Sequence, residues 1–324
     1  MMYNREPVFS ILIANYNNGQ YLMDAIRSVQ AQTYRNWEII IVDDGSTDCS
    51  HDLYEQLVRD CHATITTLTD EPLPMPTEEE WTKCAQQTMH EGQVRIYLSP
   101  MNHGCGFTKH QCAALAHGEL CGFLDPDDAL TPDALEVMVA AHRQHRAAAV
   151  VGSCYWATDE NLKPMWRSYQ KVLPEGGTWL TTTTTHAPIP FASYKGERYL
   201  KTEGINIGLG RAVDFDLYVK LEEQGGIVFL PDITYYYRQH THQISTHGDF
   251  KSMYWQIYVI IKACERRHIP ADEVVDSLMK DNWQWFIKNG VGYEVPKPKQ
   301  PLWRRIYSRV KRLCKKILKK LHQC

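Results

Sequence analysis

Three carboxylates in four residues, Asp125, Asp127 and Asp128, follow directly on the apolar run Leu120–Leu124. Carboxylates this close repel one another unless a cation neutralises them, and hard oxygen donors suit Mg2+ or Mn2+. A metal bridging a diphosphate accounts for the cluster; a turn that caps the helix after Thr131 is the alternative. Two further polar loops end apolar runs in the same way. They are Asp43-Asp44-Gly45-Ser46-Thr47-Asp48, after Glu38–Val42, and Asn15-Tyr16-Asn17-Asn18, after Val8–Ala14. Taken alone, Asp-Asp-Gly is a turn signal; three such loops on one rim describe a binding site.

The elements that must carry these loops are strands and helices in alternation. Val8–Ala14 and Glu38–Val42 are continuous, β-branched and apolar, and Tyr21–Gln32 between them has apolar residues at helical spacing. Continuous apolar strands are buried on both faces, which predicts an α/β fold with a mostly parallel sheet flanked by helices. In such sheets ligands bind beyond the carboxyl ends of the strands, where the three loops lie. A helix is expected from about Asp48, since Ser46, Thr47 and Asp48 suit an N-cap. Residues 64–93 read as a surface insertion or partly formed helix. Strands are expected at 94–98, 120–124, 147–156, 227–230 and 233–237, and helices at 107–117, 133–145, 213–224, 250–267 and 271–289. The stretch 166–204 carries the Thr181–Thr185 run and Pro188 and Pro190, and is expected to shape an acceptor surface rather than a core. Prolines at 296, 298 and 301 mark a linker, so the expected domains are 1–248, 249–295 and 296–324.

The segments ILIANYNNGQYLMDAIRSVQAQTYRNWEIIIVDDGSTD and NHGCGFTKHQCAALAHGELCGFLDPDD, with looser matches at AVDFDLYVKLEEQGG and YYYRQHTHQIS, together resemble the inverting family-2 glycosyltransferases, whose fold is GT-A. The likeness spans roughly residues 8–246. It implies a nucleotide-sugar donor, with Ala14 and Tyr16 in the donor-contacting first loop. Tyr16 would stack on the donor's base, and Asp44 would accept from the base's N–H edge. Asp127 and Asp128 would serve metal and ribose, with Asp125 in support, and the Mn2+ or Mg2+ would neutralise the departing diphosphate. Where the family usually has Arg-Asn, this chain has Lys109 and His110. Lys109 either faces a phosphate as a point charge or is a solvated lysine. Asp214, with Asp216 as fallback, would take the acceptor hydroxyl's proton, although both acids also suit a helix N-terminus. Val213 stands where the family usually has another acid. Arg238 would meet phosphate, and His240 would complete the metal shell or brace its loop, with His242 a weaker competitor.

The chain has 324 residues and a net charge of −3, yet residues 303–324 hold nine of its 35 Lys and Arg and no acid. The remaining 26 (35 minus nine) face 38 acids, a body near −12. This balance excludes general nucleic-acid binding. Trp303, Ile306, Val310, Leu313, Ile317 and Leu321 recur at helical spacing among the basic residues, as in a helix lying on an anionic membrane surface; a helix folded back on the acidic body is the alternative. Ten scattered cysteines without a Cys-x-x-Cys pair read as reduced thiols. With a polar opening and no apolar run of about 18 residues, the expected place is the cytoplasm, peripheral at the inner face of the cell membrane. The expected activity is sugar transfer to a glycan or lipid-linked acceptor. A GT-A protein that binds sugar nucleotide without catalysis is the competing reading, and a glycoside hydrolase has no use for the aromatic-plus-acid rim.

Overall fold

The apolar runs form strands as their composition predicts. In the computed structural model, which describes residues 6–87, 93–169, 173, 177–182, 190–241 and 250–276, β1 (Phe9–Asn15) is buried throughout except for a half-buried Ala14, and β2 (Trp37–Asp43) is buried at every residue. They pair in parallel, with Asn15 opposite Asp43. On the outer side of β2 lie β4 (Gln93–Leu98) and then β3 (Thr64–Thr67), both parallel. On the other side of β1 lies β5 (Leu120–Phe123), with Leu12 opposite Phe123. This register brings the carboxyl ends of β1, β2 and β5, and so all three polar loops, to one edge.

The sheet order is β3-β4-β2-β1-β5-β9-β7-β10-β6. Here β6 is Ala129–Leu130, β7 Val150–Thr158, β9 Ala192–Lys195 and β10 Ile227–Arg238, and β8 (Pro164–Arg167) pairs with β7 off this path. β9 runs antiparallel between β5 and β7. It falls within the stretch expected to be irregular, because its four residues, Ala-Ser-Tyr-Lys, are too few to carry a period. The two expected strands at 227–230 and 233–237 are one strand, irregular in its register against β7 between Phe229 and Ile233.

Helices α1 (Gly19–Gln30), α2 (Ser50–Cys61) and α5 (Ala134–Gln144) cover one face, packing Leu22, Ile26, Leu57 and Met138 against Ile11, Ile13, Ile39 and Ile41. The alternate residues Leu12, Ile40 and Val42 face the other side, where α4 (Cys105–Ala114) packs on β1 and β2. The 64–93 segment holds β3 and α3 (Glu78–Gln87), and it is anchored: Trp81 is 5% exposed, and a Cβ on Gly196 would come within 2.2 Å of its ring. Short α6 (Trp179–Thr182) and α7 (Gly196–Tyr199) precede α8 (Val213–Glu222).

One compact unit runs to Ala271 and includes α9 (Phe250–Arg267), tied to the end of α8 by Arg266–Glu223 and Arg267–Glu222 ion pairs of 2.9 Å. Of the second unit, which starts at Asp272, residues 272–276 are described and helical. The basic segment, the rest of the expected 271–289 helix, His242 and most of the threonine run lie outside the described residues. Among those described, no helix is long and apolar enough to cross a membrane.

Candidate active site

The first two loops are fastened to each other by their own polar side chains. Asn15, fully buried, has its side-chain amide nitrogen 3.0 Å from Asp43, 3.0 Å from the Ser50 hydroxyl and 2.9 Å from the Tyr54 hydroxyl. Asp43 also accepts from the Ser46 N–H at 2.8 Å and the Tyr54 hydroxyl at 2.6 Å, so its role is internal. Burial, then the Asp43 charge, pushes the Tyr54 phenol far up and keeps it a donor. Asp48 accepts from the N–H groups of Gly19 at 2.8 Å and Ser50 at 3.0 Å. The Asn17 side chain accepts from the Thr47 N–H at 2.7 Å. Between these clamps Tyr16 stands out at the rim, 46% exposed.

Asp44 is only 2% exposed. Its two oxygens accept from the N–H groups of His103 and Gly104, each at 2.8 Å. Sequence reasoning gave it to the donor's base; here the same carboxylate also fixes the entry to α4, leaving each oxygen one further lone pair. The turn that aims it needs Gly45, whose φ is +73° and where a Cβ would lie 2.8 Å from the Met101 carbonyl carbon.

Lys109, on α4, is buried and reaches two acids. Its Nζ lies 2.6 Å from Asp214 Oδ1 and 3.5 Å from Asp125 Oδ1, and 5.0 Å from the centre of the Phe123 ring. Asp125 and Asp214 keep 42% and 43% of their side chains open to solvent. Partial burial, with Asp214 and Asp127 adding and Lys109 opposing, pushes the Asp125 carboxyl up to about 6. Cys105, on the first turn of α4, carries a free thiol. Burial first raises it to about 11, and the charges of Lys109, Asp214, Asp125 and Asp44 all act on it. Helix α4 thus touches all three acids: its Gly104 N–H bonds Asp44, and its Lys109 reaches Asp125 and Asp214.

Asp127 Oδ2 lies 2.9 Å from His240 Nε2. Asp128 points elsewhere: it accepts from the Arg238 N–H at 2.7 Å and the Tyr235 hydroxyl at 2.8 Å. Burial, then Asp127 and Asp125, drive its carboxyl well above the usual range. Arg238, expected at a phosphate, is 2% exposed and bonds Asp24 at 2.8 Å, the Asp127 carbonyl at 2.6 Å and the Glu160 carbonyl, with its guanidinium 4.6 Å from the Tyr21 ring centre. The reason is spatial, because α1 passes under the end of β10 and offers an acid and a ring. His240 packs on the same Tyr21 at 4.8 Å. Tyr21 and Asp24 were missed by sequence reasoning; their three-residue spacing on one helix face was the available signal.

Among the described residues no group of three His, Cys, Asp or Glu has the geometry of a metal cage. Asp127 and His240 fit as two protein ligands, since Mg2+ and like ions are held by one or two carboxylates together with substrate phosphates and water.

A family profile described as glycosyl transferase family 2 matches residues 10–71 and 75–218, more than half of the chain. The chain belongs to that family. Over 236 residues it is 28% identical to the chondroitin synthase of Escherichia coli, covering 71% of this chain and 29% of that one. Over 237 residues it is 26% identical to the hyaluronan synthase of Pasteurella multocida, covering 72% and 20%. The chain therefore spans less than a third of these relatives' length. In structure it is similar to Staphylococcus aureus TarS 1–349 in complex with UDP-GlcNAc, with a TM-score of 0.63, 18% identity and coverage of 91% and 78%. It is also similar to the mannosyltransferase PcManGT of Pyrobaculum calidifontis in complex with GDP-Man and Mn2+, with a TM-score of 0.54, 11% identity and coverage of 96% and 81%. The fold is GT-A, as the resemblance implied.

Proposed function

We propose that this chain transfers one sugar from a nucleotide-sugar donor, a UDP-sugar foremost, to a hydroxyl of a glycan or lipid-linked saccharide, with inversion and with a divalent cation. The observation that supports this reading is that α4 joins acids from three segments, Asp44 through the Gly104 N–H and Asp125 and Asp214 through Lys109. Tyr16 offers its face to the base and Asp44 a carboxylate to the base's N–H edge. Asp214, with 43% of its side chain open to solvent, takes the proton from the acceptor hydroxyl as its oxygen attacks the anomeric carbon and the bond to the diphosphate breaks. Asp127 and His240 are the residues that would hold a divalent cation, which would supply positive charge to the leaving diphosphate. The basic segment 302–324 serves in this reading to keep the chain at an anionic bilayer, within reach of a lipid-linked acceptor.

A catalytically inactive sugar-nucleotide binder is the second reading, favoured by Val213 in place of an acid and by Lys109 in place of Arg. Incubating the protein with a panel of nucleotide-sugars and candidate saccharide acceptors, with Mn2+ or EDTA, separates the two. Transfer predicts nucleoside diphosphate release with a glycosylated product of opposite anomeric configuration; binding without release supports the second reading; neither binding nor release contradicts both.

A further inference from the structure

We propose that Lys109 is a positioning residue for the base Asp214 and not a phosphate ligand, an inference that rests on the glycosyltransferase reading above. Its ammonium is held by Asp214 at 2.6 Å and Asp125 at 3.5 Å, over the Phe123 ring, with its side chain 6% exposed. An ammonium has three donors, and two carboxylates and an aromatic face leave little of it for another partner. One positive charge already faces two negative ones, so the surroundings give a further anion no net attraction. Burial works to discharge the lysine, but Asp214 and Asp125 outweigh it and hold its pKa well above the ordinary value.

The helix makes the contact a strut. Gly104, at the N-cap of α4, gives its N–H to Asp44, and Lys109 follows five residues later, roughly 7.5 Å along the axis at 1.5 Å per residue. The acid that faces the nucleobase and the acid that faces the acceptor are thereby joined through one rigid element. Lys109 sets where Asp214 stands relative to the donor-side acids.

The test compares the wild type with Lys109→Met and Lys109→Arg by two readouts: kcat and KM, and the calorimetric Kd for UDP. Lys109→Met is expected to lower kcat about 100-fold while leaving the donor KM and the UDP Kd within about threefold. Lys109→Arg keeps the charge and guards against loss of the fold; it is expected to bind UDP as the wild type does, at a kcat between the two. The inference is overturned if UDP binds tenfold more weakly to the Met variant, if it binds more tightly to the Arg variant because a bidentate fork suits phosphate better, or if the Met variant keeps its kcat within about threefold of the wild type. A wild type inert toward every donor would sink the glycosyltransferase reading instead, while the UDP Kd of the two variants still decides whether the lysine holds phosphate.

Discussion

At the scale of single residues, two adjacent aspartates have separate tasks. Asp43 is locked by Asn15, Ser46 and Tyr54, while Asp44 faces the entry to α4. Sequence alone placed both on the rim but could not divide them, because the division depends on which side of the strand end each carboxylate takes. The same holds for Arg238 and Asp128, whose partners Asp24 and Tyr235 lie 214 and 107 residues away in the chain. Replacing Asp214 by Asn is expected to lower kcat by about 10²- to 10⁴-fold while UDP affinity holds, read by diphosphate release and calorimetry. Tyr16→Ala should instead weaken UDP binding by about 1–3 kcal/mol, the worth of base stacking on an aromatic ring. Equal UDP affinity in that variant would remove Tyr16 from the donor site.

At the scale of elements, the long apolar strands and amphipathic helices were legible because their periods repeat over seven or more residues, as in β1, β2 and α9. β9 was not, since its identity as a central strand comes from its neighbours β5 and β7. The packing of β1, β2 and β4 also depends on a buried acid that carries no motif. Glu38 accepts from Ser10, from the His117 N–H at 2.8 Å and from Arg95 at 2.6 Å. Burial alone would raise its carboxyl, but His117, Arg95 and Ser10 bring it to about 2, below its ordinary 4.5. A lowered carboxyl stabilises the fold fully above its unfolded value, and that contribution fades as pH falls from about 4.5 toward 2. The shift corresponds to roughly 3 kcal/mol at 1.36 kcal/mol per unit. Urea unfolding between pH 7 and pH 3 should show this loss in the wild type, whereas Glu38→Gln should be less stable at pH 7 and much flatter with pH. An unchanged midpoint in that variant would show that the network carries no stability.

At the scale of the whole molecule, the sheet edge gathers groups from segments as far apart in the chain as Asn15 and His240, so no single block of sequence describes the site. The partners of Lys109 were not legible in sequence, since Asp214 and Asp125 come from two other segments of the chain. The basic segment, nine Lys and Arg among residues 303–324, belongs to the molecule's charge asymmetry. Deleting residues 302–324 is expected to abolish co-sedimentation with vesicles rich in anionic lipid while leaving UDP binding intact; unchanged sedimentation would place membrane contact elsewhere or nowhere. Sugar transfer as proposed depends on carboxylates at one rim holding a nucleoside diphosphate through a divalent cation. The decisive experiment is calorimetric titration of UDP into the full chain, once in Mn2+ and once in EDTA. Saturable one-to-one binding is expected in Mn2+, weakening at least tenfold in EDTA; binding of equal strength in both, or none in either, would contradict the cation's role.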